Sequence, residues 1–209
     1  MDISKIFDII EARGPYTVAV SLLTSTVITL IYIKVFMNFR RAKELMGERK
    51  TENKSVVETL SMSLFFLLCY VVIMTKLGNF SIDSIYYNIL IGVSFVTMII
   101  GAYFNLMGRV NLGDNWGNNV VIYKTHTLVR TGVYGIVRHP LYASIIWMLY
   151  AIGILYFNYL IIILNTVIFI PFMYYRAKQE ESALVKVFDD YNKYQKEVGM
   201  FFPKLWRTK

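Results

Sequence analysis

A single cysteine, Cys69, stands in 209 residues, and it lies inside an apolar run. That excludes an intramolecular disulfide and a thiolate metal cluster. Histidine is nearly as scarce: His126 and His139 are the only two, with no ligand partners at metal-binding spacing, so no metal is expected. Only four prolines occur, and no Pro/Ser linker, low-complexity tract or internal repeat divides the chain, so residues 1–209 are expected to form one domain. There is no Walker loop and no GxGxxG opening a helix, which removes the usual phosphate cradles. Charge is short too, at 17% of residues. A soluble domain would carry about 25%.

Apolar residues take that room, at 56% of the chain, and they gather in runs long enough to cross a bilayer. Five spans are expected, near 15–37, 56–75, 85–107, 141–157 and 159–175. Only Asn158 separates the last two, the pattern of a tight helical hairpin. Residues 1–14 lack the basic region and small-residue cleavage site of a signal peptide. Ile3, Ile6, Phe7 and Ile10 recur there at helical spacing, which suits a short helix on the membrane surface as well as it suits a plain tail. Pro171 is expected to bend the fifth span near its end.

The lysines and arginines set an orientation. Six lie in 38–54, four in 108–139 and eight in 176–209, whereas the second–third connection holds Lys76 alone and the fourth–fifth hairpin none. The positive-inside rule then puts the N-terminus outside and the C-terminus in the cytosol. The net charge of +8 is explained by this topology and by anionic lipid, so nucleic acid is not an expected partner. The expected architecture is all-α and integral to the membrane. Residues 1–107 supply the first three helices, and residues 108–209 hold the last two and the tail, with their polar segments facing the cytosol.

Between the third and fourth runs lies His-Thr-Leu-Val-Arg-Thr-Gly-Val-Tyr-Gly-Ile-Val-Arg-His-Pro-Leu-Tyr, residues 126–142. Ionisable groups set beside lipid usually serve a function. Pro140 suits the first position of a helix, because its missing N–H would be unsatisfied there. Arg138 and His139 then stand at a helix N-terminus, whose dipole and free N–H groups favour an anion; the plain alternative is that they anchor the helix at the interface. Gly132 and Gly135 mark a tight turn, and Leu128 and Val129 can line an apolar slot. A second cluster, Arg176, Glu180 and Glu181, follows the fifth run; Arg176 and Glu180 share a helical face if that helix continues, whereas Glu181 points about 100° away, so only one glutamate is expected to face an interior site. Tyr191 and Tyr194, three apart, are neighbours on one helical face, and Phe201, Phe202 and Trp206 give an aromatic ending.

Taken in order, His126-Thr-Leu-Val-x-x-Gly-Val-Tyr134, Arg138-His139-Pro-x-Tyr142, Glu180-Glu181-x-x-Leu184, Tyr191-x-x-Tyr194 and Pro203 resemble isoprenylcysteine carboxyl methyltransferases and, more widely, phospholipid N-methyltransferases. The resemblance covers roughly residues 108–206. It implies an integral membrane enzyme that uses S-adenosylmethionine, with a cytosolic pocket built from the loop before the fourth helix, the ends of the fourth and fifth helices, and the C-terminal tail. His126, Leu128, Val129, Gly132, Tyr134, Arg138, His139, Tyr142, Glu180 and Glu181 would then bind the cofactor, and Arg138, Glu180 and Tyr194 would serve catalysis. The implied acceptor is a lipophilic or prenylated molecule carrying a carboxylate. Two positions depart from the pattern: Asp189 follows Phe188 where glycine is usual, and Glu197 stands where these enzymes tend to carry a basic residue. A glutamate there opposes a carboxylate acceptor. The alternatives are a phospholipid amine N-methyltransferase, an NADPH-dependent sterol-type reductase, and a non-catalytic scaffold or transporter. Oligomeric state is not legible in the sequence.

Overall fold

The computed structural model describes residues 53–82, 84–113 and 127–204, together with Leu22 and Thr26. The surface helix expected over 1–14, nearly all of the span expected over 15–37, His126 and Trp206 lie outside the described residues. Among the described residues the protein is helical, with no strand and two isolated bridges, Asn79 with Asn158 and Val137 with Gly199.

Four of the expected runs form helices. They are α1 (Asn53–Thr75), α2 (Ser84–Leu112), α3 (Pro140–Leu155) and a last rod made of α4 (Tyr159–Leu164), a π turn (Asn165–Phe169) and α5 (Ile170–Val185). A short α6 (Tyr191–Glu197) follows. The segments Tyr86–Leu112 and Tyr159–Val185 are long and apolar enough to cross a membrane, and Leu60–Thr75 and Pro140–Leu155 are shorter apolar helices. At 1.5 Å per residue the rod Tyr159–Val185 is roughly 40 Å long. An apolar slab is about 30 Å thick, so the rod is long enough to cross one with its last turns, which carry Lys178, Glu180 and Glu181, to spare. The rod runs on past the expected end at 175, to Val185.

Small residues bring the helices together. Lipid tails are as apolar as leucine, so helices in a membrane associate through close packing rather than through escape from water. On α2, Gly101 faces Met148 and the Ser144 carbonyl, and Gly108 faces Leu141 and Pro140. Gly153 on α3 leaves room for Ile162, whose Cγ1 would lie 2.7 Å from a Cβ. α1 packs on the rod from the other side through Cys69 and Val72 against Ile161, and through Phe65 stacked at 5.0 Å on Phe169.

One buried side chain ties the two turns at the far end. Asn158 caps α4 by accepting the Ile161 N–H at 3.1 Å, and its amide donates to the Leu77 carbonyl (2.8 Å) and to Asn79 Oδ1 (2.6 Å). The turn ends α3 at Leu155, two residues before the expected 157, because Phe157 takes a left-handed φ of 46° that no helix tolerates. Pro171 falls just after the π turn, within the first turn of α5. The main core lies at the opposite end from the Asn158 latch, where Val137, Ile146, Phe169, Met173, Ala177 and Phe201 pack beneath the charged residues.

Candidate active site

The loop before α3 is shaped by one glycine and one asparagine. Gly132 opens a 3-10 turn (Gly132–Gly135) with φ of 61°, a conformation that side chains resist. A Cβ at this position would also run into the Asn111 amide, whose Oδ1 accepts the Val133 N–H at 3.2 Å. The end of α2 thereby holds the turn. Tyr134 and Val137 are buried beyond it. Leu128 and Val129 are half-buried; Leu128 packs with Tyr191, Tyr194 and Val198, and Val129 against the main core.

The tail then closes on the loop. The Arg138 N–H donates to the Gly199 carbonyl (2.8 Å) and the His139 N–H to the Met200 carbonyl (3.1 Å). The Tyr194 hydroxyl donates to the Tyr134 carbonyl at 2.6 Å. Burial first, with the Glu181 carboxylate adding to it and Arg138 and Arg130 opposing, pushes the Tyr194 hydroxyl above its ordinary range, so it is a donor at neutral pH.

Glu181 is the hub. Its side chain is 1% exposed, and its Oε1 lies 2.9 Å from Arg138 Nε, 2.8 Å from Arg138 Nη2 and 3.2 Å from His139 Nε2. Its Oε2 accepts from Gln195 Nε2 at 2.9 Å, with Lys178 Nζ at 3.7 Å. Arg138 also donates to the carbonyls of Gln195 and Val198 at the C-terminal end of α6, where a cation meets the negative pole of the helix. The anion seated against Arg138 in this structure is therefore the protein's own glutamate.

Glu180 is placed differently. Its side chain is 27% exposed; it accepts the Tyr142 hydroxyl and stands 3.4 Å from His139 Nδ1. Only Glu181 is buried, as expected of one glutamate of the pair, yet Glu180 reaches the same His139, because an imidazole carries a nitrogen on each edge and so bridges the angle between neighbouring helical positions. Burial disfavours the charged form of His139, but the hydrogen bonds and charges of Glu180 and Glu181 outweigh it and raise the imidazole above its ordinary value. The His139 ring stacks on Tyr142 at 5.6 Å with planes 4° apart, and the Arg176 guanidinium lies 5.9 Å over the same tyrosine. Arg176 and Glu180 thus meet through Tyr142.

Gln195, Lys178, Asn111 and Gly199 take part in this arrangement without having been legible in the sequence, since polar residues on a charged helix or after a turn carry no pattern of their own. Glu197, the departure that opposed a carboxylate, is paired with Arg130 at 2.9 Å; the Arg130 guanidinium also lies 5.3 Å over the Tyr194 ring. The charge of Glu197 is therefore answered locally.

Residues 92–186, which contain α3, the rod and the Arg138–Glu181 cluster, match the model of a known protein family. It is the isoprenylcysteine carboxyl methyltransferase (ICMT) family. The resemblance carried by the sequence motifs is to this same family. Protein-S-isoprenylcysteine O-methyltransferase of Saccharomyces cerevisiae is 29% identical over 109 residues, covering 51% of this chain and 46% of the yeast protein. The enzyme of the same name from Schizosaccharomyces pombe is 31% identical over 111 residues, again 51% and 46%, and that of Xenopus laevis is 31% identical over 116 residues, 53% and 40%. The chain thus aligns with less than half the length of these curated relatives. The solved structure of the eukaryotic intramembrane Ras methyltransferase ICMT, without a monobody, superposes with a TM-score of 0.64 at 21% identity, covering 93% of this chain and 70% of that one. The two share a fold.

Proposed function

We propose that this chain is a multi-pass integral membrane methyltransferase of ICMT type. It would transfer a methyl group from S-adenosylmethionine to a carboxylate on a lipophilic, prenylcysteine-like acceptor. One observation carries the reading: the ICMT-family match spans the segment in which Arg138, His139, Tyr142, Glu180 and Glu181 converge into one largely buried charged cluster. The membrane-length helices and the basic residues at one end of them support a cytosolic pocket with the N-terminus outside.

The residues fit such a cofactor. Glu180 is the carboxylate of the pair that stays partly exposed, suited to an ammonium group or to ribose hydroxyls. The stacked His139 and Tyr142 rings give it a flat wall, and Gly132 makes room for the Asn111 amide that holds the turn before them. S-adenosylmethionine, when bound, supplies an already activated sulfonium methyl. The protein's own work is alignment and exclusion of water. Arg138 and Glu181 hold the tail against the loop, and Tyr194 fixes the Tyr134 carbonyl.

The state of these groups favours a carboxylate over an amine. Each carboxylate of the cluster already accepts hydrogen bonds, and the Tyr194 proton is committed to a carbonyl. An amine or phenol needs a general base, whereas a carboxylate arrives ionised. Isothermal titration of the detergent-purified protein with S-adenosylhomocysteine and, separately, NADPH tests the proposal. Binding of the first and not the second is expected. Loss of S-adenosylhomocysteine binding in a protein whose helicity is intact would end the methyltransferase reading.

A further inference from the structure

Arginine and a carboxylate frequently pair fork to fork, with two parallel N–H bonds on two oxygens. Arg138 and Glu181 do not. Nε and Nη2, the two nitrogens on one edge of the guanidinium, lie 2.9 Å and 2.8 Å from the same oxygen, Oε1. A third neighbour, His139 Nε2, stands 3.2 Å from that oxygen. Among the described residues, Oε2 is hydrogen-bonded neither to Arg138 nor to His139. Three nitrogens thus crowd one oxygen of the carboxylate while the other serves none of them.

Gln195 accounts for that lopsided arrangement. It sits half-buried on α6 and donates from Nε2 to Oε2 at 2.9 Å. Lys178 Nζ also approaches Oε2, but at 3.7 Å and from a side chain 51% exposed, so its pull is screened and weak. The Gln195 carbonyl meanwhile accepts from Arg138 Nη1 at 3.0 Å. One residue of the tail therefore grips both members of the ion pair, the arginine through its backbone and the glutamate through its side chain. Without the amide donor the carboxylate can swing into the fork, giving Oε2 to one guanidinium nitrogen and Oε1 to the other. That swing would draw Oε1 away from the imidazole. His139 is 7% exposed and held on two edges, by Glu181 at Nε2 and by Glu180 at 3.4 Å from Nδ1, with its ring stacked on Tyr142. Arg138 precedes it in the chain, Arg176 lies over the Tyr142 ring, and the tail presents the Phe201 ring at 6.2 Å. Slackening the Glu181 edge would loosen a ring that forms part of the candidate cofactor wall.

We propose that Gln195 is a positioning residue: by holding Glu181 Oε2 from the tail, it keeps Oε1 on His139 and so sets the His139–Tyr142 wall of the site. It acts through Glu181. Its effect on His139 stands on the contacts alone, whereas its effect on cofactor binding rests on the methyltransferase reading above.

Selective histidine labelling and NMR titration of the ligand-free protein in detergent test it. The chain has two histidines, so the His139 signal is the one missing from His139→Gln. Gln195→Met keeps the length of the side chain and loses the donor. Its His139 midpoint should shift to lower pH than in wild type, because the imidazolium loses a carboxylate partner. Its S-adenosylhomocysteine affinity should fall about three- to tenfold, the net worth of one hydrogen bond. A strut that merely held the tail would lower the melting temperature and leave the midpoint where it stands. An unchanged or raised midpoint in the folded variant therefore overturns the inference. A lowered midpoint with unchanged affinity overturns the part of Gln195 in cofactor binding. Should Gln195→Met not fold, Gln195→Asn, whose amide ends one methylene short of Oε2, is titrated in the same way and the same outcomes decide. Failure of both variants to fold would make Gln195 a strut of the tail, which also overturns the inference. A wild type that binds no S-adenosylhomocysteine ends the methyltransferase reading, while the titration still reports on the Glu181–His139 contact.

Discussion

Glu181 and Arg138, 43 residues apart in the chain, meet at 2.8 Å with 1% and 8% of their side chains exposed. The pair joins the rod to the loop before α3, and through the Arg138 bonds to Gln195 and Val198 it also captures the tail. A buried ion pair costs much to desolvate, and breaking it by removing one partner leaves a charge stranded. Arg138→Ala or Glu181→Ala alone should each lower stability by about 3–5 kcal/mol, whereas Arg138→Met with Glu181→Met should lose far less than the sum. Unfolding of the three variants in one detergent checks this. Strict additivity would count against the pair as the organising contact.

Glu180 should behave otherwise. With its side chain 27% exposed and tied only by Tyr142 and His139 in this network, Glu180→Ala is expected to leave the unfolding transition within about 1 kcal/mol of wild type. It should nonetheless weaken S-adenosylhomocysteine by at least tenfold, about 1.4 kcal/mol. Calorimetric titration of the folded variant makes the distinction, and unchanged affinity would remove Glu180 from the cofactor site.

His139 makes the fold sensitive to pH. Its folded value is raised above the ordinary 6.5 by Glu180 and Glu181 on its two edges, against the opposing effect of burial. A group with a raised folded value gives its full stabilisation below the unfolded value and loses it as pH climbs through the folded one. The melting temperature of the ligand-free protein should therefore decline as pH rises from about 6 to about 9, and His139→Gln should flatten the decline. Parallel curves for the two proteins would assign the dependence to other groups.

The far end offers a control. Asn158→Ala removes the α4 cap and the bonds to Leu77 and Asn79, a loss of about 2–3 kcal/mol. Because the latch lies at the opposite end from the cluster, affinity for S-adenosylhomocysteine should be retained at temperatures where the variant is folded. A large loss of affinity would mean that the two ends are coupled.

Much of this was legible because lipid simplifies the grammar of sequence. Apolar runs announced α1 to α3 and the rod, and Asn158 announced the hairpin, since a membrane helix can end only where a polar residue or turn satisfies its backbone. The motif residues were likewise visible as charges and glycines out of place. What escaped was pairing. Nothing in a run of residues says that Arg130 will meet Glu197 across 67 positions, or that Gln195 will turn inward to Glu181 while Lys196 beside it stays exposed. Such contacts depend on where the tail docks, and docking is set by the backbone bonds of Gly199 and Met200, which leave no trace in composition.

The π turn at Asn165–Phe169 has a consequence for everything after it. One residue more than an α-helical turn advances the helix by about 100°. The rod is therefore two phases joined in the middle: α4 presents Ile161 to α1, while α5 turns Met173, Ala177 and Glu181 inward along a stripe of its own. Removing one residue from the turn would leave the helix as long and as apolar as a membrane needs, and would swing both glutamates off His139. The charged cluster at the Glu181 end is thus indexed by a single residue in the middle of the rod.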